Sequence, residues 1–337
     1  MEREREYLYQ RHKLSHQQID LLLEEKESGY YPELKGQLLG KVRDFLEVSK
    51  LLSEAGISFI PLKGPMLSYR LYGDPSFRYF SDLDMLMELP ELKKALLILL
   101  DEGYETEFYI WPEDPIKEQL LVSRDNQYNI AHPGKQIGIE LHWRPFHYDI
   151  GPKEGIWPLL KENLDTIEYG GMQYHVFNPE LEALYLVIHG GLHGFRWLRW
   201  LLDVRDLLLN INIDAGKFND LCDKLQAHRM VALCNALMKE YFPGSALLPS
   251  DQKVSSYLLR SAHKAMAESS ILPGNSLANA IRLNTYRLRC FPGMRFKKSL
   301  MKYTFYSSRQ LQKNSVRSSF VYDIFRRIKR KLFHAMF

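Results

Sequence analysis

Two aspartates one residue apart, Asp82-Leu83-Asp84, are the residues of this chain best placed to do chemistry. They lie in Phe80-Ser81-Asp82-Leu83-Asp84-Met85-Leu86-Met87, eighteen positions after Lys63-Gly64. In an extended strand alternate side chains share a face, so both carboxylates point one way and Leu83, Met85 and Met87 the other. Two negative charges held that close repel each other unless a positive charge lies between them. A divalent cation meets that need, and oxygen-only ligands favour Mg²⁺ or Mn²⁺ over zinc. Phosphoryl transfer is the chemistry such a pair most often serves.

A third carboxylate completes a site of this kind, and Glu140 is the candidate. It alternates with Ile139 and Leu141 on a segment bounded by turn signals, so it projects from a sheet face as the acid pair does. The turn Lys63-Gly64-Pro65 precedes a helix, whose free N–H groups favour phosphate; Gly64 permits close backbone approach and Lys63 adds a point charge. Arg78, just before the acid strand, is open to three readings: a phosphate contact, a partner of Asp74, or a solvated loop residue. His142 shares the face of Glu140 and can orient substrate or a carboxylate. His189 and His193, four apart, share a helical face close to Trp197, Trp200 and Asp203. That face is either a contact between domains or a surface turned toward nucleotide or acceptor; no zinc-protease pattern accompanies it. Arg196 and Arg199 read as surface charges.

These residues need elements to hold them. Gly36 to Ala55 reads as a helix with an apolar stripe of Leu38, Leu39, Val42, Phe45, Leu46 and Leu52, stopped by Gly56. Ile57 to Leu62 reads as a short strand, Met66 to Tyr72 as a helix begun at Pro65, and Glu91 to Glu102 as another helix. Asn126 to Ala131 and Gln136 to Trp143 read as a hairpin across His132-Pro133-Gly134-Lys135. Asn178-Pro179 marks an N-cap and first helical position, and helical patterns dominate after it. The expected fold class is α+β, a small mixed sheet with flanking helices and a helical C-terminal domain. Its expected divisions are a helical lead-in (1–50), a catalytic unit (51–150), a mainly helical substrate or lid domain (151–280) and a basic amphipathic tail (281–337).

At 337 residues, with 45% apolar and 26% charged content, this is an ordinary globular composition. Neither a membrane-spanning run nor an apolar leader is evident, and three cysteines without CxxC spacing indicate neither a disulfide framework nor a zinc site. A cytoplasmic protein is expected. Charge is uneven: from Arg282 to Phe337 there are fifteen Lys/Arg and a single acid, Asp323, while the remainder is net acidic. Within the tail, Phe320, Ile324, Ile328 and Leu332 form one helical face among basic residues. Three partners stay open for it: an anionic membrane surface at the inner face, the acidic body of the chain itself, or nucleic acid, the last favoured least.

The run Leu62-Lys63-Gly64-Pro65, then Leu71-Tyr72-Gly73-Asp74-Pro75, then Arg78 with Ser81-Asp82-Leu83-Asp84-Met85-Leu86 resembles the uncharacterised bacterial nucleotidyltransferase family. That family belongs to the DNA polymerase beta-like nucleotidyltransferase superfamily. The resemblance covers roughly Leu51 to Asn210, including the helix from His189 to Asp203. It implies that Asp82 and Asp84 are metal ligands and that Glu140, in Ile139-Glu140-Leu141-His142-Trp143, is the third acid. The usual Gly-Ser turn of the superfamily is replaced here by Lys63-Gly64, and the spacing to the acids is longer. The expected activity is Mg²⁺- or Mn²⁺-dependent transfer of an NMP from an NTP to an unidentified hydroxyl or phosphate acceptor. The alternatives are a nucleotide-binding module without turnover and a toxin-like enzyme acting on tRNA or protein.

Overall fold

The chain opens with two short helices, α1 (Glu2–His12) and α2 (His16–Leu22), the second capped by Ser15, whose side chain accepts from Gln18 N. This is a computed structural model that describes residues 2–24, 32–106, 110–268 and 277–305. The guanidinium of Arg11 donates to the carbonyls of Arg196, Ala265, Met266 and Glu268 at 2.8–3.0 Å, which fastens α1 onto distant parts of the chain.

Next comes α3 (Pro32–Glu54). Its buried stripe is Leu38, Val42, Phe45, Val48 and Leu52, at the three- and four-residue spacing of one helical face. Leu39, expected in that stripe, is on the outside at 49% exposure. The strand expected over 57–62 is shorter, β1 (Ile60–Pro61), and α4 (Gly64–Tyr72) follows the Lys63 turn directly. Then come β2 (Asp82–Leu86), α5 (Leu89–Asp101), β3 (Glu105–Thr106), α6 (Pro115–Arg124), β4 (Gln127–Ala131) and β5 (Gly138–His142).

The five strands form one mixed sheet in the order β1-β2-β5-β4-β3. β2 and β5 run parallel at its centre, and the other pairings are antiparallel. Leu83, Met85, Ile139 and Leu141 line one face and share a core with Phe45 of α3 and with Leu92, Ala95, Leu96 and Leu99 of α5. Burying each such side chain contributes about 1.5–3 kcal/mol, which holds β2 and β5 in register with their polar residues on the opposite face.

Beyond α7 (Trp157–Lys161), the chain makes a hairpin of β6 (Leu164–Tyr169) and β7 (Met172–Phe177) ahead of the expected helices. Gly170 and Gly171 both have positive φ, +61° and +75°, the requirement of a two-residue turn that matches strand twist. Tyr174 of β7 stacks on Phe45 at 5.5 Å, so the hairpin joins the core beneath the sheet.

The helical part follows as α8 (Pro179–Leu192), α9 (Leu198–Asn210), α10 (Ala215–Leu225), α11 (His228–Tyr241), α12 (Ser256–Ala267), α13 (Leu277–Cys290) and α14 (Met294–Phe305). Asn178 caps α8 as expected, accepting from Leu181 N, and Pro179 is its first residue. Leu181, Leu184, Tyr185, Leu186, Val187 and Ile188 of α8 are all buried, which makes it the central helix of this layer. The start of the basic segment is part of this core: Tyr286 donates to the Gly191 carbonyl, and Phe291, Phe296 and Leu300 are buried. The amphipathic face of Phe320, Ile324, Ile328 and Leu332 lies outside the described residues. Among the described residues, no helix is long and apolar enough to cross a membrane, and the three cysteines are buried thiols.

Candidate active site

Parallel pairing of β2 with β5 sets Asp84 directly opposite Glu140, Leu86 opposite His142 and Asp82 opposite Gly138. Asp82, Asp84, Glu140 and His142 therefore share the sheet face that the apolar core leaves free. Ligand atoms of Asp84, Glu140 and His142 all lie within 4.8 Å of one another. His142 thus joins the acids more closely than its sequence position suggests, while the Asp82 carboxylate stands one step along the strand, accepting from Ser81 Oγ at 3.1 Å.

Positive charge is already built in. Lys63 Nζ lies 3.0 Å from Asp84 Oδ1, and His142 Nε2 lies 3.2 Å from the same oxygen and 3.4 Å from Glu140 Oε2. Burial alone would raise the Asp84 carboxyl, but Lys63 and His142 outweigh it and hold the group well below the usual carboxylate range. Burial and the charge of Asp84 push Asp82 upward instead, against the pull of Lys63. Lys63 is raised in spite of its burial, because Asp84, Asp82 and Glu140 all favour its ammonium form.

Two influences on His142 compete. Against the cost of burial, Asp84 and Glu140 push it up to about 9, which favours the imidazolium. The Asn126 amide nitrogen, 3.1 Å from Nδ1, instead favours a neutral ring with its proton on Nε2. In either form Nε2 donates toward the carboxylates, so His142 orients them and leaves the ligand set to oxygen. Asp84 Oδ2 is buried without a hydrogen-bond partner. A buried carboxylate oxygen without a donor costs free energy that a cation would recover, and an oxygen donor set suits Mg²⁺ or Mn²⁺. The residues present fit a divalent ion.

Gly64 begins α4 with φ +61°, a conformation other L-residues rarely adopt, and an added Cβ would stand 3.7 Å from the Asp82 carbonyl oxygen. The Lys63-Gly64 turn and the N-terminus of α4 therefore adjoin the acid strand, as a phosphate grip beside a metal site requires.

Arg78, expected among phosphate contacts, is 2% exposed and gripped by Asp203: Nε donates to Oδ1 at 2.6 Å and Nη2 to Oδ2 at 2.8 Å. Nη1 donates to the Tyr79 carbonyl. The fork offered to phosphate is engaged within the protein, and it ties the loop before β2 to α9. Arg199, read from sequence as a surface charge, is buried instead. Its Nη1 donates to the Tyr79 carbonyl at 3.1 Å, its Nε has no partner, and Asp82 is among its electrostatic neighbours. Helical spacing puts Arg199 near the Trp197–Asp203 face, but only the packing of α9 against the loop before β2 reveals the burial.

His189 and His193 lie over the same side of the molecule. His189 rests against Tyr185 and Trp200, with ring centroids 6.0 and 5.5 Å away, and burial together with the charge of Lys63 keeps its imidazole neutral. His193 is exposed and stacks on Trp200 at 5.2 Å. Neither belongs to the close group of Asp84, Glu140 and His142. The two histidines and Trp200 make an aromatic wall, with Lys63 and Asp84 among the electrostatic neighbours of His189.

The family model described as an uncharacterised nucleotidyltransferase matches residues 28–243, well over half of the chain and all of the sheet and acid site. No curated protein and no solved structure matches the chain.

Proposed function

The chain belongs to the uncharacterised nucleotidyltransferase family, and from that premise we propose a divalent-metal-dependent enzyme. It moves an NMP from an NTP to a hydroxyl or phosphate acceptor and releases pyrophosphate, in an arrangement like that of the DNA polymerase beta-like superfamily. The observation that carries this reading is the unpartnered, buried Oδ2 of Asp84 on a strand whose parallel neighbour sets Glu140 opposite.

Asp84, Glu140 and Asp82 are the residues that would hold Mg²⁺ or Mn²⁺. Such an ion supplies positive charge to the phosphates and to the departing pyrophosphate. Lys63 and the Gly64 turn at the head of α4 grip the triphosphate, and Arg199 adds a buried guanidinium near Asp82. Arg78 acts at one remove by fixing the loop that leads into β2. The acceptor oxygen forms a bond to the α-phosphorus while the bond from that phosphorus to the β-bridging oxygen breaks. The proton of an attacking hydroxyl passes to the Glu140 carboxylate, whose Oε1 is steadied by Asn129 Nδ2 at 3.2 Å. The aromatic wall of His189, His193 and Trp200 offers the nucleobase a stacking surface.

The test is transfer of label from α-labelled NTP into an acceptor drawn from cell extract, with Mg²⁺ or Mn²⁺. Asp82→Ala and Asp84→Ala are expected to abolish both labelling and pyrophosphate release. Wild-type levels in either variant overturn the reading.

A further inference from the structure

Two cations from different layers meet at the start of the acid strand. Lys41 comes from α3, on the apolar side of the sheet, and its Nζ donates to the Phe80 carbonyl at 3.0 Å. Arg199 comes from α9, and its Nη1 donates to the adjoining Tyr79 carbonyl at 3.1 Å. Both stand by the Tyr79 ring, Lys41 Nζ at 5.4 Å and Arg199 Cζ at 5.9 Å from its centroid. Asp82, two and three residues further on, is an electrostatic neighbour of both. The Gly64 turn borders the same place, since a Cβ on Gly64 would stand 3.7 Å from the Asp82 carbonyl oxygen.

Neither cation is matched by an acid. Two carboxylates close by are engaged elsewhere, Asp84 by Lys63 and Asp203 by Arg78. Among the described residues, Lys41 and Arg199 form no ion pair, and the Phe80 and Tyr79 carbonyls are their hydrogen-bond partners. Arg199 Nη2 is left without a partner and, unlike the enclosed Nε, is open to solvent; Lys41 is half-buried. Asp82 Oδ1 is likewise unpartnered and open, while Oδ2 accepts from Ser81. Burial lowers the pKa of Lys41, and burial with the charge of Arg78 brings Arg199 down to about 10. An anion facing the two groups would offset that cost.

We propose that Lys41 and Arg199 hold the outer phosphates of the NTP, the part that departs as pyrophosphate, at the Asp82 end of the site. This rests on the nucleotidyltransferase reading, to which it adds Lys41 and a direction for the triphosphate. In-line displacement puts the attacking and leaving oxygens on opposite sides of the α-phosphorus. With the acceptor proton passing to Glu140 on β5, the leaving side is toward β1 and the Gly64 turn, across β2. That turn borders Asp82, where the two cations converge. The point charge of a lysine and the fork of an arginine together suit the clustered oxygens of pyrophosphate.

Inorganic pyrophosphate is the probe, because it carries the outer phosphates without sugar or base. The full-length protein in Mg²⁺ is titrated with pyrophosphate by calorimetry at constant ionic strength. One pyrophosphate is expected to bind per chain. Lys41→Gln and Arg199→Gln are each expected to weaken it about tenfold, the scale of a lost charge-assisted hydrogen bond, and Lys41→Arg to keep most of the affinity. The rise in melting temperature with Mn²⁺ alone is expected to persist in all three variants. A Lys41 that only braced the Phe80 carbonyl would lose the Mn²⁺ response and pyrophosphate together, and that result overturns the proposal. So does absence of pyrophosphate binding to the wild type, which needs no variant to fold, or wild-type affinity in both Gln variants. A seat that fails while α-label transfer still depends on Asp84 leaves the nucleotidyltransferase reading standing.

Discussion

Lys63 Nζ stands 3.0 Å from Asp84 Oδ1, and that contact determines how the acid strand is tolerated before any ligand arrives. One carboxylate oxygen is neutralised from within the chain while the other, Oδ2, is left without a partner. The site is thereby stable enough to fold and still unsaturated.

Removing the ammonium should make folding dependent on added cation. Lys63→Met leaves a buried carboxylate short of a partner, a change that costs about 3–5 kcal/mol when a buried pair is broken. Chemical denaturation without divalent ions is expected to show that loss, and Mg²⁺ should recover more stability in the variant than in the wild type. In the wild type the raised pKa of Lys63 means that its contribution is complete below pH 10.5 and is lost as pH rises through the raised value. At the acid end, the depressed pKa of Asp84 means that its contribution is present above pH 3.8 and is lost as pH falls through the lowered value.

Metal binding should be visible in thermal unfolding. At about 100 times its dissociation constant, Mn²⁺ adds about 2.7 kcal/mol to the native state, which raises the melting temperature by several degrees. Asp84→Asn and Glu140→Gln are expected to abolish the rise and to lower nucleotidyl transfer about 10²–10³-fold, the scale for deleting one electrostatic group. An undiminished Mn²⁺ response in Asp84→Asn would place the ion elsewhere.

The Arg78–Asp203 pair is wholly buried and joins the acid strand to the helical layer. Asp203→Asn should destabilise by about 3–5 kcal/mol, because the guanidinium then lacks its counter-charge in a dry setting. The double variant Arg78→Leu/Asp203→Leu should lose less than the sum of the single changes. Additive losses in urea denaturation would mean that the two residues are not coupled.

Glu182 gives a pH signature distant from the metal site. Burial pushes it up to about 7, against the pull of Arg70, whose Nη1 is 2.7 Å away. Since the folded pKa is the higher, the protonated form favours the native state. That contribution is complete below pH 4.5 and is lost as pH rises to about 7. Glu182→Gln cannot titrate, so its stability relative to wild type should climb by on the order of 3 kcal/mol across this window. A constant difference between pH 4 and pH 8 would rule this out.

Local pattern accounts for much of the architecture. Alternation on β2 and β5 placed Asp82, Asp84 and Glu140 on one face, Lys63-Gly64-Pro65 marked a turn into a helix, and Asn178-Pro179 marked the start of α8. Period-two and capping signals are carried by neighbours in sequence, so they can be read without the fold. The hairpin of β6 and β7 was not foreseen: its alternation is short and its burial comes from Phe45, far upstream. The partner of Arg78 lies 125 residues away, and the burial of Arg199 depends on that same docking of α9. Such pairings have no local signature, because tertiary packing alone decides which charges meet.

Arg11 lies ahead of the stretch that matches the family, residues 28–243, while three of its four acceptor carbonyls, on Ala265, Met266 and Glu268, lie after it. The inherited segment is thus shorter than the cooperative one. A fragment trimmed to the family boundaries would retain every acid of the site yet lose the clasp that closes the helical layer. Limited proteolysis should therefore find 2–12 and 256–268 protected together, as parts of a single folding unit.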